Sequence, residues 1–145
     1  MQAGYLAIET HQDRPGLVRV IVCDTQPGTG SLTHQPRRIR YVARFNDVET
    51  ALMHTHESLK RRLIDPDTRL YRASLEQAIA SVESIDLRHQ RTHIDPDLSE
   101  QQLQEIQTIV EAQQSRQRRR NQLFQTMGYI GIALLLFNMF VLSFH

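Results

Sequence analysis

A long uncharged stretch near the C-terminus constrains this chain more than any other feature. Residues 127–144 carry no charged side chain, and only His145 follows them in the sequence. As an α-helix, the stretch would be roughly 27 Å long, close to the ~30 Å hydrocarbon core of a bilayer. Because it is apolar on every face and follows a cluster of arginines, we predict a transmembrane helix that acts as a tail anchor. A buried core helix is the alternative.

The arginine cluster predicts the orientation of that helix. Four arginines precede the apolar stretch and none follow it: Arg116, Arg118, Arg119 and Arg120. Lysine and arginine are enriched on the cytoplasmic side, within about 15–20 residues of a membrane span. We therefore expect the N-terminal 126 residues to lie in the cytoplasm, with the arginines against anionic lipid. Nucleic-acid binding by the same arginines is the alternative.

One polar and two small residues within the apolar stretch indicate helix packing. Asn138 places an amide in the hydrocarbon region, where it is costly unless it has a hydrogen-bond partner. Gly128 and Gly131 are small enough to allow a close approach. The three residues therefore predict contact with another membrane helix. Alternatively, the amide bonds its own helix backbone or lies where the membrane is thinned.

Composition narrows the class of the remaining residues. The 145-residue chain has a formal net charge of +1, so no strong overall field favours nucleic acid. Cys23 is the only cysteine, which excludes a disulfide framework and a cysteine-rich zinc site. About 95 residues remain for a single soluble domain, which is enough to build a core.

Three runs rich in strand-forming residues predict a three-stranded antiparallel sheet: residues 4–10, 17–22 and 37–45. The first two runs flank Pro15-Gly16 and would form a hairpin. Polar residues 24–36 predict a loop. The third run alternates apolar and basic residues, which is typical of a strand buried on one side.

Three capping boxes predict helices after the strands: Asn46–Glu49, Ser74–Gln77 and Ser99–Gln102. The first two helices would pack on the sheet, which makes the domain α+β. The third helix has a thin apolar face and predicts a stalk that leads into the membrane. The expected organisation is a domain at 1–85, a linker at 86–97, a stalk at 98–126 and a transmembrane helix at 127–144.

Two groups of motifs resemble the GIY-YIG nuclease superfamily, above all its small bacterial and phage branch. The first group is Gly4-Tyr-Leu-Ala-Ile8 followed by Arg14-Pro-Gly-Leu-Val-Arg-Val20. The second is His56-Glu-Ser-Leu59 followed by residues 64–79. The resemblance covers roughly residues 4–83 and implies a three-stranded sheet with helices. It also implies a bacterial protein, and therefore the inner membrane as its location.

The residues at the family's catalytic positions depart from the nuclease pattern. The resemblance implies hairpin tyrosines, an arginine on the first helix and a metal-binding glutamate. Those positions fall here on Ala7, Val18, Ile21 and Arg69, and a polar loop replaces the arginine-bearing helix. Phosphodiester cleavage needs an activated water and a metal, and an arginine repels Mg²⁺. The resemblance thus implies a domain without catalytic residues or cofactor.

Other chemistry-bearing residues favour structural roles. His54 and His56 lie two apart, on different helix faces, so they suit one metal poorly. His89 and His93 are four apart but lie in the predicted linker. The two Asp-Pro-Asp sequences, 65–67 and 95–97, are typical of turns, and calcium would need more oxygen ligands. We predict no metal site.

These observations lead to three hypotheses for function. The first is a non-enzymatic, tail-anchored membrane protein whose cytoplasmic domain binds other proteins, as an accessory subunit of a larger membrane complex. The second is a membrane-tethered protein that binds DNA or RNA without cutting it, through basic side chains: Arg37, Arg38, Arg40, Arg44, Arg61 and Arg62. The third, and weakest, is a residual metal-dependent nuclease.

Overall fold

The computed structural model describes residues 2–28 and 36–143, with side chains through residue 140. Within these residues the chain forms two units, one up to Val110 and one from Glu111 onward. The first unit contains an antiparallel sheet of six strands: β1 (Gly4–His11), β2 (Leu17–Cys23), β3 (Arg37–Phe45), β4 (Leu63–Asp65), β5 (Leu70–Arg72) and β6 (His89–Ile94). Their order across the sheet is β4-β5-β2-β1-β3-β6.

The predicted α+β class is confirmed, but the predicted count of three strands is too low. Strands β4 and β5 have three residues each, which is too short to show a period of two. Strand β6 lies within residues 86–97, which we expected to be a linker. It is an edge strand that pairs only with β3. Because edge strands are often polar, its sequence lacks the apolar alternation by which strands are predicted.

The hairpin of β1 and β2 forms where the sequence predicts it. Gly16 closes the turn with a φ of +81°, a conformation that glycine adopts without steric cost. At the start of β1, a Cβ on Gly4 would lie 2.9 Å from Cγ1 of Val48 and 3.2 Å from the carbonyl oxygen of Cys23. Glycine is therefore required there for the first helix to pack closely on the sheet.

A bulge in the pairing of β1 with β3 decides which side chains share a face. Ile8 pairs with Tyr41 and Glu9 pairs with Ile39, so Arg40 is an extra residue on β3. Beyond the bulge, Arg38 pairs with Thr10, which also pairs with the core residue Val18. Arg38 therefore faces the core side of the sheet.

Two helices cover the core side of the sheet: α1 (Val48–Leu59) and α2 (Leu75–Glu83). The side chain of Asp47 accepts a hydrogen bond from the Thr50 amide at 3.2 Å, so the N-cap of α1 lies one residue later than predicted. Ser74 caps α2 as predicted, accepting from the Gln77 amide at 3.2 Å.

The third helix, α3 (Glu100–Ser143), begins with the predicted capping box. The Gln102 amide donates to Oγ of Ser99, and the Ser99 amide donates to Oε1 of Gln102. Its first turns belong to the domain, because Ile106 is buried in the core and the Gln102 side chain donates to Glu76 at 2.7 Å. The predicted stalk at 98–126 thus starts as part of the domain.

From Glu111 onward, α3 is the second unit. Its large apolar side chains between Leu123 and Phe140 are 56–75% exposed. Within the part of the chain that the structure describes, α3 is long and apolar enough to cross a membrane. A single candidate membrane-spanning helix is therefore present where the sequence predicts one, although Phe144, the last residue of the predicted span, lies outside the described residues.

Candidate functional site

The positions at which the nuclease resemblance places catalysis hold three apolar residues and one exposed arginine. Ala7 pairs with Ile21 across β1 and β2, and Ala7 is fully buried. Val18 points to the other face of β2 from Ile21 and packs into the core. Arg69 is exposed in the turn between β4 and β5, with a φ of 53°. The fold brings Ala7 and Ile21 together, and neither side chain can transfer a proton or bind a metal.

The six arginines predicted as phosphate ligands do not form one surface. Arg38 and Arg40 line a small pocket beside Ala73 and Leu75, whereas Arg37 lines an adjoining cleft. Arg44 lies toward the opposite end of β3 and is exposed. The remaining two, Arg61 and Arg62, lie in a 3-10 turn at Lys60–Arg62, directly after α1.

Two of these arginines bind a buried carboxylate at the end of β6. One nitrogen of Arg38, Nη2, donates to Oδ1 of Asp95 at 2.8 Å and to Oδ2 of Asp97 at 2.7 Å. Nε of Arg40 lies 2.7 Å from Oδ2 of Asp95. The hydrogen bond to Asp97 and the charges of both aspartates raise the pKa of Arg38, although burial opposes them. Two of the six arginines predicted to bind phosphate are thus neutralised within the fold.

Asp95 also organises the local backbone. Its Oδ1 accepts the Asp97 amide at 3.0 Å, and its own amide donates to the Arg40 carbonyl at 2.9 Å. Asp65 has the same turn role, accepting from the Asp67 amide at 3.0 Å and from the Thr68 hydroxyl at 2.6 Å. The prediction that both Asp-Pro-Asp sequences form turns is confirmed.

A second polar cluster joins α2 to β3 and β6. The hydroxyl of Tyr41 donates to Oε1 of Glu83 at 2.6 Å, and Nε of Arg91 donates to the same oxygen at 2.7 Å. Nε2 of His89 lies 3.5 Å from Oε2 of Glu83, and the His89 ring stacks on Phe45. Burial raises the pKa of Glu83, but the hydrogen bonds from Arg91 and Tyr41 outweigh it, so the net shift is downward.

Two of the four histidines considered as metal ligands have other partners. Nδ1 of His56 lies 3.0 Å from the buried hydroxyl of Tyr71, and Nδ1 of His89 lies 2.9 Å from the carbonyl oxygen of Leu87. Across residues 2–28 and 36–143, no three side chains of His, Cys, Asp or Glu converge in a way that could hold a metal ion.

A cleft that the sequence did not reveal lies at the turn end of the β1–β2 hairpin. It has a volume of about 390 Å³ and is lined by Glu9, Thr10, His11, Arg14, Leu17, Arg19, Arg37, Asp65, Thr68 and Leu70. These residues come from five strands and two turns. As basic residues in an otherwise apolar hairpin, Arg14 and Arg19 are the only indication of this site in the local sequence. The strand order places Arg37 and Thr68 beside them.

The residues predicted to pack the membrane helix are open to a partner. A Cβ added at Gly128 or Gly131 would meet no atom within 4 Å. Asn138 is exposed and has no hydrogen-bond partner among the described side chains. The four arginines before the span, Arg116, Arg118, Arg119 and Arg120, are exposed as well.

No protein family, curated protein or solved structure matches this chain. The similarity to GIY-YIG nucleases therefore stays a prediction from the motifs in the sequence. The candidate sites are defined by their geometry alone.

The two aspartates that bind Arg38 allow a matched test of the buried ion pair. Asp95 is 2% exposed in its side chain and Asp97 is 65% exposed. We expect Asp95→Asn to destabilise the fold by about 3 kcal/mol, because it leaves Arg38 and Arg40 without a buried counter-charge. Asp97→Asn should cost less than ~1 kcal/mol. Urea unfolding of the full chain in nonionic detergent, followed by tyrosine fluorescence, measures both; equal losses would contradict this role for Asp95.

The Glu83 cluster predicts a loss of stability in acid. Since the folded-state pKa of Glu83 is below its ordinary value of 4.5, its contribution is fully present above that value and is lost as the pH falls through the folded-state pKa. Glu83→Gln should therefore flatten the decline in stability between about pH 5 and pH 3. Unfolding titrations across this range test it, with Glu105→Gln, on the exposed face of α3, as the control. If the stability of Glu83→Gln fell with pH as steeply as that of the unmodified protein, the Glu83 cluster would not be the cause of the acid sensitivity.

Proposed function

We propose that this protein is a non-enzymatic, single-pass membrane protein of the bacterial inner membrane, whose N-terminal domain binds other proteins from the cytoplasm. The observation that carries the proposal is the row of large apolar side chains on α3, which are 56–75% exposed from Leu123 to Phe140. In water such a surface would drive aggregation. A bilayer removes that cost by placing the same side chains in hydrocarbon.

The proposed orientation follows from the exposed arginines that precede the apolar segment. Arg120 is seven residues before Met127, which is about 10 Å along a helix. That distance would place the cluster among lipid headgroups when the apolar segment is in the hydrocarbon core. Arginines there favour the cytoplasmic leaflet, where anionic lipids attract them.

The membrane helix offers a surface for another helix, which supports the role of accessory subunit. Gly128, Gly131, Leu135 and Asn138 are spaced by three, four and three residues, so they form one stripe on α3. The glycines permit close approach, and a partner helix could satisfy the amide of Asn138. We propose that this stripe contacts a larger membrane protein.

The remaining hypotheses have less support. A nuclease needs groups that activate water and hold a metal, and Ala7, Ile21 and Arg69 supply neither. Nucleic-acid binding would draw on the free basic side chains, but Arg38 and Arg40 already pair with Asp95. Protein binding by the domain needs neither catalytic groups nor a continuous basic surface.

The orientation is tested with single cysteines in a Cys23→Ser background. Arg88 is exposed in the domain, so Arg88→Cys reports on its location. We expect a membrane-impermeant maleimide to label Arg88→Cys in inverted inner-membrane vesicles and not in intact spheroplasts. His145→Cys should give the reverse pattern. Labelling of Arg88→Cys in spheroplasts would place the domain outside the cytoplasm and overturn the orientation.

The accessory-subunit role is tested by purifying the tagged full chain in mild detergent. We expect a stoichiometric membrane protein to co-purify, and Asn138→Leu to reduce its recovery about three- to thirty-fold, since an amide bond between membrane helices contributes roughly 0.6–2 kcal/mol. Asn121→Leu, the same change before the apolar segment, should leave recovery unchanged. Equal recovery of the partner with both variants would show that Asn138 does not contribute to the contact. Co-purification of nucleic acid that salt releases, without a protein partner, would favour the membrane-tethered protein that binds DNA or RNA.

A further inference from the structure

The cleft at the end of the β1–β2 hairpin has the dimensions of a small-molecule site. Glu9, Arg19 and Leu70 are paired across neighbouring strands, so their side chains lie on the same face of the sheet. Val18 and Val20, the neighbours of Arg19 in β2, point to the core. The cleft therefore lies on the face of the sheet opposite the helices. Its volume of about 390 Å³ is within the range of roughly 300–1,000 Å³ that is typical of ligand pockets.

Two of the three arginines in this cleft have no carboxylate partner, unlike the arginines that bind Asp95 and Glu83. Nε of Arg19 donates to the Thr68 carbonyl at 3.0 Å, and its Nη1 lies 3.7 Å from Oε2 of Glu9. Arg14 and Arg37 are exposed, and neither guanidinium group has a hydrogen bond or ion pair within residues 2–28 and 36–140. By contrast, Arg38, Arg40 and Arg91 each have a carboxylate oxygen within 2.8 Å.

The carboxylates of the cleft form no ion pair with Arg14 or Arg37. Asp65 is engaged by the Asp67 amide and the Thr68 hydroxyl of its own turn. Glu9 is only 12% exposed in its side chain and makes one long ion pair, to Arg19. The cleft therefore combines two free guanidinium groups, one recessed carboxylate that can accept hydrogen bonds, and an apolar wall of Leu17 and Leu70.

We propose that this cleft binds a small organic anion, which would give the domain a ligand site in addition to its protein contacts. The phosphate or carboxylate group of the ligand would bind Arg14 and Arg37, because a guanidinium matches the geometry of both groups. A hydroxyl or amine of the ligand would donate to Glu9, and its carbon skeleton would lie against Leu17 and Leu70. The site is independent of the membrane helix, so it can fail while the proposed function stands.

The test is calorimetric titration of the full chain in nonionic detergent with three probes: inorganic phosphate, ribose 5-phosphate and citrate. We expect saturable binding of at least one probe at physiological salt. Phosphate and ribose 5-phosphate would identify a phosphate site, and citrate alone a carboxylate site. The double variant Arg14→Gln/Arg37→Gln should weaken binding roughly tenfold or more, since two charged hydrogen-bond donors are lost.

The matched control removes the same charge elsewhere. Arg61→Gln/Arg62→Gln lies outside the cleft and should change affinity by less than about twofold, whereas a general charge effect would weaken binding equally in both variants. Glu9→Gln should weaken ribose 5-phosphate more than inorganic phosphate, because only the sugar offers carbon-bound hydroxyls. Tyrosine-monitored unfolding confirms that each variant is folded.

Three results would overturn the proposal. They are the absence of saturable binding for all probes, equal losses in the two double variants, and binding of polyglutamate without binding of any small probe. The last result would make the cleft part of a surface for acidic protein segments.

Discussion

The bulge between β1 and β3 is the constraint on which the Asp95 ion pairs and the cleft at the hairpin turn depend. Side chains alternate between the two faces of a sheet, so one extra residue in β3, Arg40, moves the residues beyond it to the opposite face. Arg38 then lies on the core side, where Asp95 binds it, and Arg37, which pairs with His11, lies on the other side in the cleft. Without the extra residue, Arg37 and Arg38 would exchange faces.

Burial explains why neighbouring arginines have different roles. Asp95 is almost completely buried, and a buried carboxylate is stable only with close counter-charges and hydrogen bonds. Two arginines and the backbone amide of Asp97 meet that requirement where β6 joins β3. The cleft is open to solvent, so Arg14 and Arg37 can remain unpaired in the folded domain and available to a ligand.

Local sequence predicted the elements whose side chains alternate or whose caps are explicit. Strands β1 to β3, the caps at Ser74 and Ser99, and the apolar part of α3 were identified correctly, since each has a signal within a few residues. Strand β6 was missed, because backbone pairing with β3 holds it and its residues are polar. The basic residues of the candidate sites were visible in the sequence, but their partners were not, because Asp95 lies 57 residues from Arg38.

The sequence by itself determined that one segment is uncharged, apolar on all faces and preceded by arginines, because these properties depend only on residue type and order. It also determined the α+β class through strand periodicity and helix caps. Only the tertiary structure decided which arginines are neutralised and which remain free. That outcome depends on strand order and register, which bring residues far apart in the chain within hydrogen-bonding distance.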